Sequence, residues 1–530
     1  MSEKTEAAET TDTSRTIGTP LSSNATRVLL LGAGEIGREL AISFQRLGLE
    51  IHAVDKRNGA PGHQVAQYSY VADVTDAAAV LELAKRIEPD YVIPEVEIVA
   101  VEALREIEEA SSAVVVPGAR ACELTMEREA IRRTASEQLG LPTTAYDFAS
   151  SPEELKTILD EMGYPSIVKP AVTSNGRGHM VVRYGDDVTE AWQTASAEAH
   201  FDGRVIVERF VDFDFEVTLL AVRSIDPKTG ELATWFAEPI GHDHRDGGLI
   251  DSWQPLQLSQ VAMENARSIA ARISNELGGR GVYGVELFVA GDDVYFSSVS
   301  PRPTDTGMVT MATQRYSQFD LHARAILGLP IDVTLTSPGA ARMLCSEVDA
   351  DTLSYSGLQD AFAHPETSVL LFGKAGSYPG RRMGVVLSTA DNTDAAHLVA
   401  REASMEITIA ADDDSVTAGT EGSSAGDASA GHAGGEEAGA EDAGAEDAGV
   451  GEAGAAGSGV DAGAGDDGGA DAGGGTGTAQ ETSAAAATTP ESRAAADDAA
   501  AVESGNKTGP ETAALTETAN DSSPNSDSSR

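Results

Sequence analysis

The sequence predicts an α/β protein of several domains followed by a long disordered tail. Residues 27 to about 120 alternate short apolar runs with helical segments, which is typical of a small parallel sheet wrapped by helices. Next, TMEREAIRRTASEQLG predicts a helix, and RVIVERFVDFDFEVTLLAV predicts two strands about a tight acidic turn. GVYGVELFVAGDDVYFSSVS predicts a hairpin that turns at GDD. From Ala411 onward the chain has almost no aromatic or branched apolar residue.

The tail, residues 411–530, is predicted to be disordered because it cannot bury enough apolar surface to offset the entropy of ordering its backbone. A small helical domain built from its alanine runs is the alternative, which the density of glycine disfavours. We expect the tail to solvate the protein, and the other interpretation is an acidic segment that binds a partner. Residues 1–15 have no apolar core and are expected to be flexible.

The chain is strongly acidic, with a formal net charge of −48 over 530 residues. Residues 412–530 contribute about −22, so about −26 belongs to the rest of the chain. Eight residues are lysine and 29 are arginine. An acidic surface poor in lysine predicts a halophilic protein, because high salt screens the self-repulsion of such a surface. The same charge argues against a nucleic acid as partner.

The two cysteines, Cys122 and Cys345, lie in separate apolar contexts and outside any C-x-x-C pair. This pattern predicts buried thiols in a reducing compartment. No apolar run approaches the roughly 18 residues that a membrane span needs. We therefore expect a cytoplasmic protein without a membrane partner.

The turn LGAGEIGREL follows the first apolar run and has the glycine spacing of a dinucleotide-binding turn. Gly32 allows a tight turn from strand to helix, Gly34 lets a ligand approach the backbone, and Gly37 lets helix and strand pack closely. Asp55 ends the next strand, about where an acid that binds ribose would lie. Glu95 ends YVIPE at the same edge of the sheet. It is interpreted either as a ligand contact or as an ordinary solvated carboxylate. The turn alone leaves NAD and other ligands open.

Lys169 ends a strand in YPSIVKPAVTSNGRGHMVV, just before a loop that contains glycine. A lysine in this position can neutralise one phosphate while loop amides bind the others. The Walker pattern GxxxxGK[ST] does not occur in the sequence. Glu286 lies among apolar residues in GVELFV, where a carboxylate is costly without a partner, so a metal ion or a salt bridge is predicted there.

Several motifs occur together in one order, and as a set they resemble the ATP-grasp superfamily. They are IVKP, SNGRGH, VIVERFV, FDFEVT, GVELFV and SPRPTDTG. The stretches RVLLLGAGEIGREL, LTMEREAIRR, DSWQPLQLS and LFGK narrow the resemblance to the formate-dependent phosphoribosylglycinamide formyltransferases, a folate-independent family of purine biosynthesis. The resemblance runs from about Thr16 to about Ala403.

The resemblance implies an α/β chain with an ATP-grasp fold in three parts. A Rossmann-like preATP-grasp domain that binds substrate would span residues 16–125, the ATP-grasp domain 126–330 and a small C-terminal domain 331–410. The disordered acidic tail 411–530 has no counterpart in the family. The glycine-rich turn would then bind a ribonucleotide and not NAD.

The resemblance also implies roles for individual residues. Glycinamide ribonucleotide would contact Glu35, Ile36, Glu95, Asp305, Lys374, Arg381 and Arg382. ATP would contact Arg128, Lys169, the loop residues Ser174, Asn175, Gly176, Arg177, Gly178 and His179, the hinge residues Glu208, Arg209, Phe210 and Val211, and Glu216. In the hinge, backbone groups around Arg209 and Phe210 would pair with adenine. Magnesium would lie at Glu286 and Ser298, and the catalytic residues would be Lys169, Arg128 and Asp305.

The implied reaction has two steps. Formate attacks the γ-phosphate of ATP to give formyl phosphate and ADP, and the amine of glycinamide ribonucleotide then takes the formyl group and releases phosphate. ATP and Mg²⁺ are the expected cofactors, glycinamide ribonucleotide and formate are the substrates, and a homodimer is expected. The loop 174–179 would close over formyl phosphate, which is labile in water.

Two positions depart from the family pattern. Arg177 replaces the usual lysine of the loop and keeps its positive charge. Ser298 stands where the family has a second magnesium-binding glutamate, so a weaker metal site, a shifted ligand such as Asp305 or an impaired enzyme would follow. The alternative functions are the ATP-dependent carboxylation of 5-aminoimidazole ribonucleotide, a non-catalytic ATP-binding protein and a nicotinamide oxidoreductase.

Overall fold

The computed structural model describes residues 16–171, 178–184, 188–197, 204–245 and 248–412. In these ranges no helix is both long and apolar enough to cross a lipid bilayer. The predictions for residues 1–15, for Ser174, Asn175, Gly176 and Arg177, and for the tail from residue 413 concern segments outside the described residues.

The first part of the chain forms a parallel sheet with a helical layer on each face. Alternate residues of its first strand enter two different cores, because Val28 and Leu30 pack with Leu40 while Leu29 and Leu31 pack with Val80 and other helical residues. The strand order β3-β2-β1-β4-β5 reverses direction beside β1, which is where such sheets bind ligands. The elements are β1 (Arg27–Leu31), α1 (Glu35–Arg46), β2 (Glu50–Asp55), β3 (Tyr68–Val71), α2 (Ala77–Ile87), β4 (Tyr91–Pro94), α3 (Val101–Ala110), β5 (Val114–Val115) and α4 (Ala119–Met126).

A small antiparallel sheet with the order β6-β9-β7-β8 follows. Its apolar face is covered by helices α6 and α7, with Leu155 and Ala191 fully buried against Val168 and Val207. The elements are α5 (Arg128–Arg133), a π-helical turn (Thr134–Gln138), β6 (Tyr146–Ala149), α6 (Pro152–Met162), β7 (Ser166–Pro170), β8 (Met180–Val182), α7 (Val188–Ala197) and β9 (Val205–Arg209).

The largest described sheet has nine strands in the order β15-β14-β10-β12-β13-β16-β19-β18, with β11 paired to β10. Strands from the middle of the chain and strands from its C-terminal part therefore form one continuous sheet. The elements are β10 (Phe215–Ile225), β11 (Leu232–Phe236), β12 (Ile240–Arg245), β13 (Gly248–Gln254), α8 (Gln260–Leu277), β14 (Gly281–Ala290), β15 (Asp293–Ser300), α9 (Thr310–Thr313), α10 (Gln318–Ile326) and β16 (Gly339–Cys345).

The last described elements complete this sheet and add a two-stranded one. They are β17 (Leu353–Ser356), α11 (Leu358–Ala361), β18 (Thr367–Leu371), β19 (Arg382–Thr389), α12 (Thr393–Glu406) and β20 (Thr408–Ala411). β17 pairs with β20, so Ala411 lies opposite Leu353, and the amide of Asp412 donates to Thr352 O at 3.1 Å. Ordered backbone pairing thus continues to Asp412.

Four local expectations differ from the structure. The strands β9 and β10 do not pair, because each belongs to a different sheet and residues 210–214 join the two sheets. The helix predicted from TMEREAIRRTASEQLG is interrupted at Glu127, where the backbone is extended. The edge strand β3 was not predicted, since its side chains are largely exposed and lack an apolar run. Cys122 is buried as expected, but Cys345 is only half-buried.

Candidate functional site

A single cleft of about 2540 Å³ collects most of the described residues that the sequence singles out. It lies where the first sheet, the small sheet and the large sheet face one another. The predicted residues that line it are Glu35, Ile36, Glu95, Arg128, Lys169, His179, Phe210, Glu216, Glu286, Ser298, Asp305, Lys374, Arg381 and Arg382. Gly178, Glu208, Arg209 and Val211 do not line it.

The glycine-rich turn has the geometry that its spacing predicts. Gly32 has a φ of 109°, which only glycine adopts readily. A Cβ on Gly37 would lie 2.4 Å from the carbonyl oxygen of Gly32, so a side chain there would push α1 away from β1. A Cβ on Gly34 would meet no atom within 4 Å, which leaves the backbone open to the cleft.

Asp55 has a structural role in this turn. Its Oδ2 accepts from the Ala33 amide at 3.1 Å, and its Oδ1 accepts from the Arg57 amide at 2.9 Å. Both carboxylate oxygens therefore hold backbone in place. Asp55 therefore has a structural explanation that does not depend on the ribose of NAD.

The end of the cleft beside α1 is a network of opposite charges. Lys374 Nζ lies 2.6 Å from Glu35 Oε1 and also donates to Arg382 O at 2.9 Å. Arg382 Nη2 lies 2.9 Å from Asp305 Oδ2. Burial disfavours the Glu35 carboxylate, but Lys374 and Arg382 leave the pKa of Glu35 below its usual value. The network joins the first sheet to the C-terminal strands.

Glu95 and Arg381 lie at the same end. Burial raises the pKa of the Glu95 carboxyl well above its usual value, and the charges of Glu35 and Asp305 act in the same direction against Arg302. Arg381 is tied to its own loop, since Nη1 donates to Ala375 O at 2.7 Å and to Gly376 O at 2.8 Å.

At the other end, Lys169 is held by a buried carboxylate. Its Nζ lies 2.6 Å from Glu208 Oε2, and Glu208 Oε1 accepts from Arg132, which also donates to Phe296 O at 2.9 Å. Burial opposes ionisation, yet Arg132 and Lys169 bring the pKa of Glu208 down to about 2. Glu208 thus acts inside the fold and fixes Lys169 at the cleft wall.

Arg128 and His179 lie near Lys169 at the same end of the cleft. Burial and the charges of Arg128 and Lys169 lower the pKa of His179 to about 2, so its imidazole is neutral. Among the described residues, His179 Nε2 and Arg128 Nε have no hydrogen-bond partner. Cationic and neutral donors without partners are suited to a polyanionic ligand.

Two backbone amides of the hinge between the sheets are hydrogen-bonded within the fold. The amides of Arg209 and Phe210 already donate to Ala145 O at 2.9 Å and to Pro165 O at 3.3 Å. The Arg209 side chain reaches Met162 O at 2.8 Å, away from the cleft. The exposed ring of Phe210 lines the cleft.

Two carboxylates of the large sheet lie at the cleft, Glu286 on β14 and Glu216 on the neighbouring strand β10. Ser298 Oγ donates to Glu286 Oε2 at 2.6 Å across β14 and β15. On β10, Glu216 Oε2 lies 2.7 Å from His244 Nδ1 and 3.6 Å from His242 Nδ1. Burial disfavours the Glu216 carboxylate, but its hydrogen bond to His244 gives it a pKa below the usual value.

Sequence reasoning missed four residues of the site, which are Arg132, Arg302, His242 and His244. The two histidines alternate in IGHDHRD, a spacing that places both on one face of a strand and could have been noticed. Arg132 and Arg302 gave no such signal, because their partners Glu208 and Glu97 are distant in the chain.

The sequence matches three domain families over most of the described chain. Residues 25–126 match the ribonucleotide synthetase preATP-grasp domain, residues 134–319 the ATP-grasp domain, and residues 339–407 the C-terminal domain of PurT. These segments cover all three parts of the described fold.

Relatives match this chain over nearly their whole length. A formate-dependent phosphoribosylglycinamide formyltransferase of Corynebacterium efficiens is 57% identical over 394 residues, which is 74% of this chain and 98% of that protein. The structure of glycinamide-RNase-transformylase T from Mycobacterium tuberculosis is 40% identical with a TM-score of 0.61, over 72% of this chain and 100% of that one.

A sister family is also similar, at lower identity. An N5-carboxyaminoimidazole ribonucleotide synthetase from Thermus thermophilus is 29% identical with a TM-score of 0.60, over 72% of this chain and 97% of that one. The identity to the formyltransferase, 57%, is well above the 29% identity to this synthetase, so the sequence favours the formyltransferases. The chain belongs to the formate-dependent phosphoribosylglycinamide formyltransferases, a family of ATP-grasp enzymes.

Proposed function

We propose that the chain formylates glycinamide ribonucleotide with ATP and formate. An oxygen of formate attacks the γ-phosphorus of ATP, the bond to ADP breaks, and formyl phosphate forms. The amine of glycinamide ribonucleotide then attacks the formyl carbon, and inorganic phosphate leaves. The observation that carries this proposal is the single cleft with two charged ends, since formyl phosphate made from ATP and formate at one end must meet the amine at the other end without release into water.

The α1 end would bind glycinamide ribonucleotide. Lys374, Arg381 and Arg382 supply positive charge for its 5′-phosphate, and the open backbone at Gly34 adds the N-terminus of α1 beside Glu35 and Ile36. The carboxyl groups of Glu35, Glu95 and Asp305 suit the ammonium group and the ribose hydroxyls.

The opposite end would bind ATP. Arg128 and Lys169 would neutralise phosphate charge, and the neutral His179 adds a donor or acceptor beside them. Glu216 would accept from the ribose hydroxyls, and residues 208–211 would flank the adenine, with Phe210 against the ring. Because Glu208 already fixes Lys169, this lysine needs little reorganisation to meet a phosphate.

Glu286 and Ser298 fit a magnesium ion, since both offer oxygen and magnesium needs only one or two carboxylates beside substrate phosphates. When bound, the ion would neutralise the charge that develops on the phosphates. The Ser298 hydroxyl orients the Glu286 carboxylate at 2.6 Å and adds no charge of its own.

Asp305 would accept the proton that the attacking amine loses. Arg382 holds its Oδ2, while Oδ1 is buried with no hydrogen-bond partner among the described residues. A carboxylate with one fixed and one unused oxygen is positioned and still able to receive a proton. Asp305 is therefore proposed as catalytic, together with Lys169 and Arg128.

The test uses formate labelled with ¹⁸O on both oxygens. The full chain in concentrated KCl, with Mg²⁺, ATP and glycinamide ribonucleotide, should yield N-formyl product and ADP in equal amounts. One ¹⁸O should appear in inorganic phosphate, because the oxygen that attacked phosphorus leaves with it. Product without label in phosphate would exclude formyl phosphate.

Two control reactions distinguish the alternatives. Turnover that depends on bicarbonate and 5-aminoimidazole ribonucleotide would favour the carboxylating sister reaction. Binding of ATP without any turnover would favour a non-catalytic protein. We also infer from the family resemblance a cytoplasmic homodimer, and light scattering of the purified chain would measure its mass.

A further inference from the structure

Among the described residues, one group of metal-ligating side chains has ligand atoms that all lie within 4.8 Å of one another, and it consists of Glu216, His242 and His244. Glu216 on β10 is the direct cross-strand partner of His242 on β12. The register shifts by a bulge between Asp243 and His244, and His244 Nδ1 still lies 2.7 Å from Glu216 Oε2. All three residues line the cleft.

His242 is the second observation that points to a ligand. Its side chain is 3% exposed, yet neither ring nitrogen makes a hydrogen bond of good geometry among the described residues, and the Val217 backbone interacts with the ring only weakly. The nearest carboxylate oxygen, Glu216 Oε2, lies 3.6 Å from Nδ1, which is beyond hydrogen-bond distance. A buried imidazole without a partner is unfavourable, and a bound cation would satisfy it.

We propose that Glu216, His242 and His244 bind a divalent transition-metal ion, of which Zn²⁺ is the best fit. Two imidazole nitrogens and one carboxylate form a ligand set that zinc commonly takes, with a fourth position left for water. Magnesium prefers oxygen ligands and octahedral geometry, so this group differs from Glu286 and Ser298 in the ion that it selects. Because the group lines the cleft, the fourth position would be open to solvent.

The site would make the metal an inhibitor that competes with ATP. This consequence rests on the proposed function, in which the carboxylate of Glu216 accepts from the ATP ribose. One carboxylate cannot serve both ligands in the same geometry, so each ligand should weaken the binding of the other.

The first experiment measures metal binding without ATP, formate or ribonucleotide, so that its result is independent of the proposed reaction. The full chain is titrated with Co²⁺, whose visible bands report nitrogen ligands in a tetrahedral site, and Zn²⁺ is then used to displace it. We expect one equivalent per chain. His244→Gln should weaken binding by at least about tenfold.

The matched control is His397→Gln, because His397 also lies near a carboxylate, 3.4 Å from Asp251, but does not line the cleft. This variant should bind Co²⁺ as the wild type does. Equal loss in both variants, or unchanged Co²⁺ bands in His244→Gln, would overturn the site. His244 is the partly exposed ligand, so its substitution spares the buried strand interior.

The second experiment measures the affinity for Mg–ATP at a free Zn²⁺ concentration fixed by a chelator buffer, which corrects for zinc bound to ATP itself. The apparent dissociation constant should rise linearly with free Zn²⁺ in the wild type and in His397→Gln, but not in His244→Gln. Zinc that binds at this group without changing the affinity for ATP would overturn the competition and leave the metal site standing.

Discussion

Ser298 and Glu286 face each other on paired strands, and the Ser298 hydroxyl donates to Glu286 Oε2 at 2.6 Å. The family resemblance implies a second carboxylate at the position of Ser298 in relatives, and two carboxylates so close would repel each other unless a cation lay between them. In this chain the repulsion is replaced by a hydrogen bond. The proposed magnesium site is therefore stable when it is empty and has one negative charge fewer with which to attract the ion.

Ser298→Glu is expected to lower the Mg²⁺ concentration needed for half-maximal turnover by at least about threefold, because affinity for such ions rises with the number of charged ligands. The measurement is formate-dependent ADP release as a function of Mg²⁺ at saturating ATP. Ser298→Ala, which removes the hydroxyl without adding charge, is the matched control and should not lower that requirement. An unchanged Mg²⁺ dependence in Ser298→Glu would count against the proposed site.

Glu208→Gln is expected to destabilise the protein by about 3–5 kcal/mol, because Arg132 and Lys169 would be left buried without their shared carboxylate. Urea unfolding at pH 7 measures this free energy. Glu137→Gln, which breaks an exposed pair with Arg133, should stay near the wild type. A small effect at Glu208 would mean that solvent or rearrangement compensates the two cations.

The pH dependence of stability tests the same carboxylate. The folded-state pKa of Glu208, about 2, lies below its reference value of 4.5. Its ionised form therefore stabilises the fold above about pH 4.5, and this stabilisation is lost as the pH falls towards 2. The melting temperature of Glu208→Gln should fall less steeply than that of the wild type in this window. Parallel curves for the two proteins would contradict the prediction.

Glycinamide ribonucleotide is expected to release a proton from Glu95 when it binds in the pH range just above that of an ordinary carboxyl group. Burial keeps the Glu95 carboxyl protonated above its usual range, and the ammonium group of the substrate favours the ionised form. Calorimetry in buffers of different ionisation enthalpy measures the release. It should vanish in Glu95→Gln and persist in Glu109→Gln, a change of an exposed carboxylate on the same domain.

Removal of the tail should leave kcat/KM and the melting temperature unchanged. The truncation belongs after Asp412 and not at residue 411, because β20 and the Asp412 amide still pair with residues 352–356. The comparison uses full and shortened chains in the same concentrated KCl. A large loss of turnover would assign the acidic tail a role beyond solvation.

The melting temperature should rise as KCl is increased from dilute to molar concentrations. The residues before the tail carry a net charge of about −26, and salt screens their mutual repulsion. The shortened chain should show the same trend, since this charge remains. A flat or falling curve would contradict adaptation to high salt.

The sequence was most informative where local geometry and chemistry coincide. The glycine spacing of LGAGEIGREL predicted a turn that requires glycine at Gly32 and Gly37, and GDD between two apolar runs predicted the hairpin of β14 and β15. Both features depend on neighbours in the chain, so propensity and pattern were sufficient.

The sequence failed where the partner of a residue lies far along the chain. The apolar runs that became β9 and β10 predicted strands correctly, but nothing local could show that they join different sheets. Glu208 lies in a hinge motif, and only the fold reveals that Arg132, 76 residues earlier, turns its side chain inward. The sheet that each strand joins and the partner of Glu208 both depend on contacts between residues that are far apart in the sequence.

The ion pair between Glu35 and Lys374 also has a consequence for the chain during its translation. Its two residues are 339 positions apart, so the ribosome makes the glycine-rich turn long before it makes the lysine. During that interval the nascent chain has Glu35 without its cation, and once residue 305 has been made it also has Asp305 without Arg382. The proposed ribonucleotide pocket can therefore be completed only after residue 382 has been made, and chains released before residue 374 lack the cations proposed to hold the substrate phosphate.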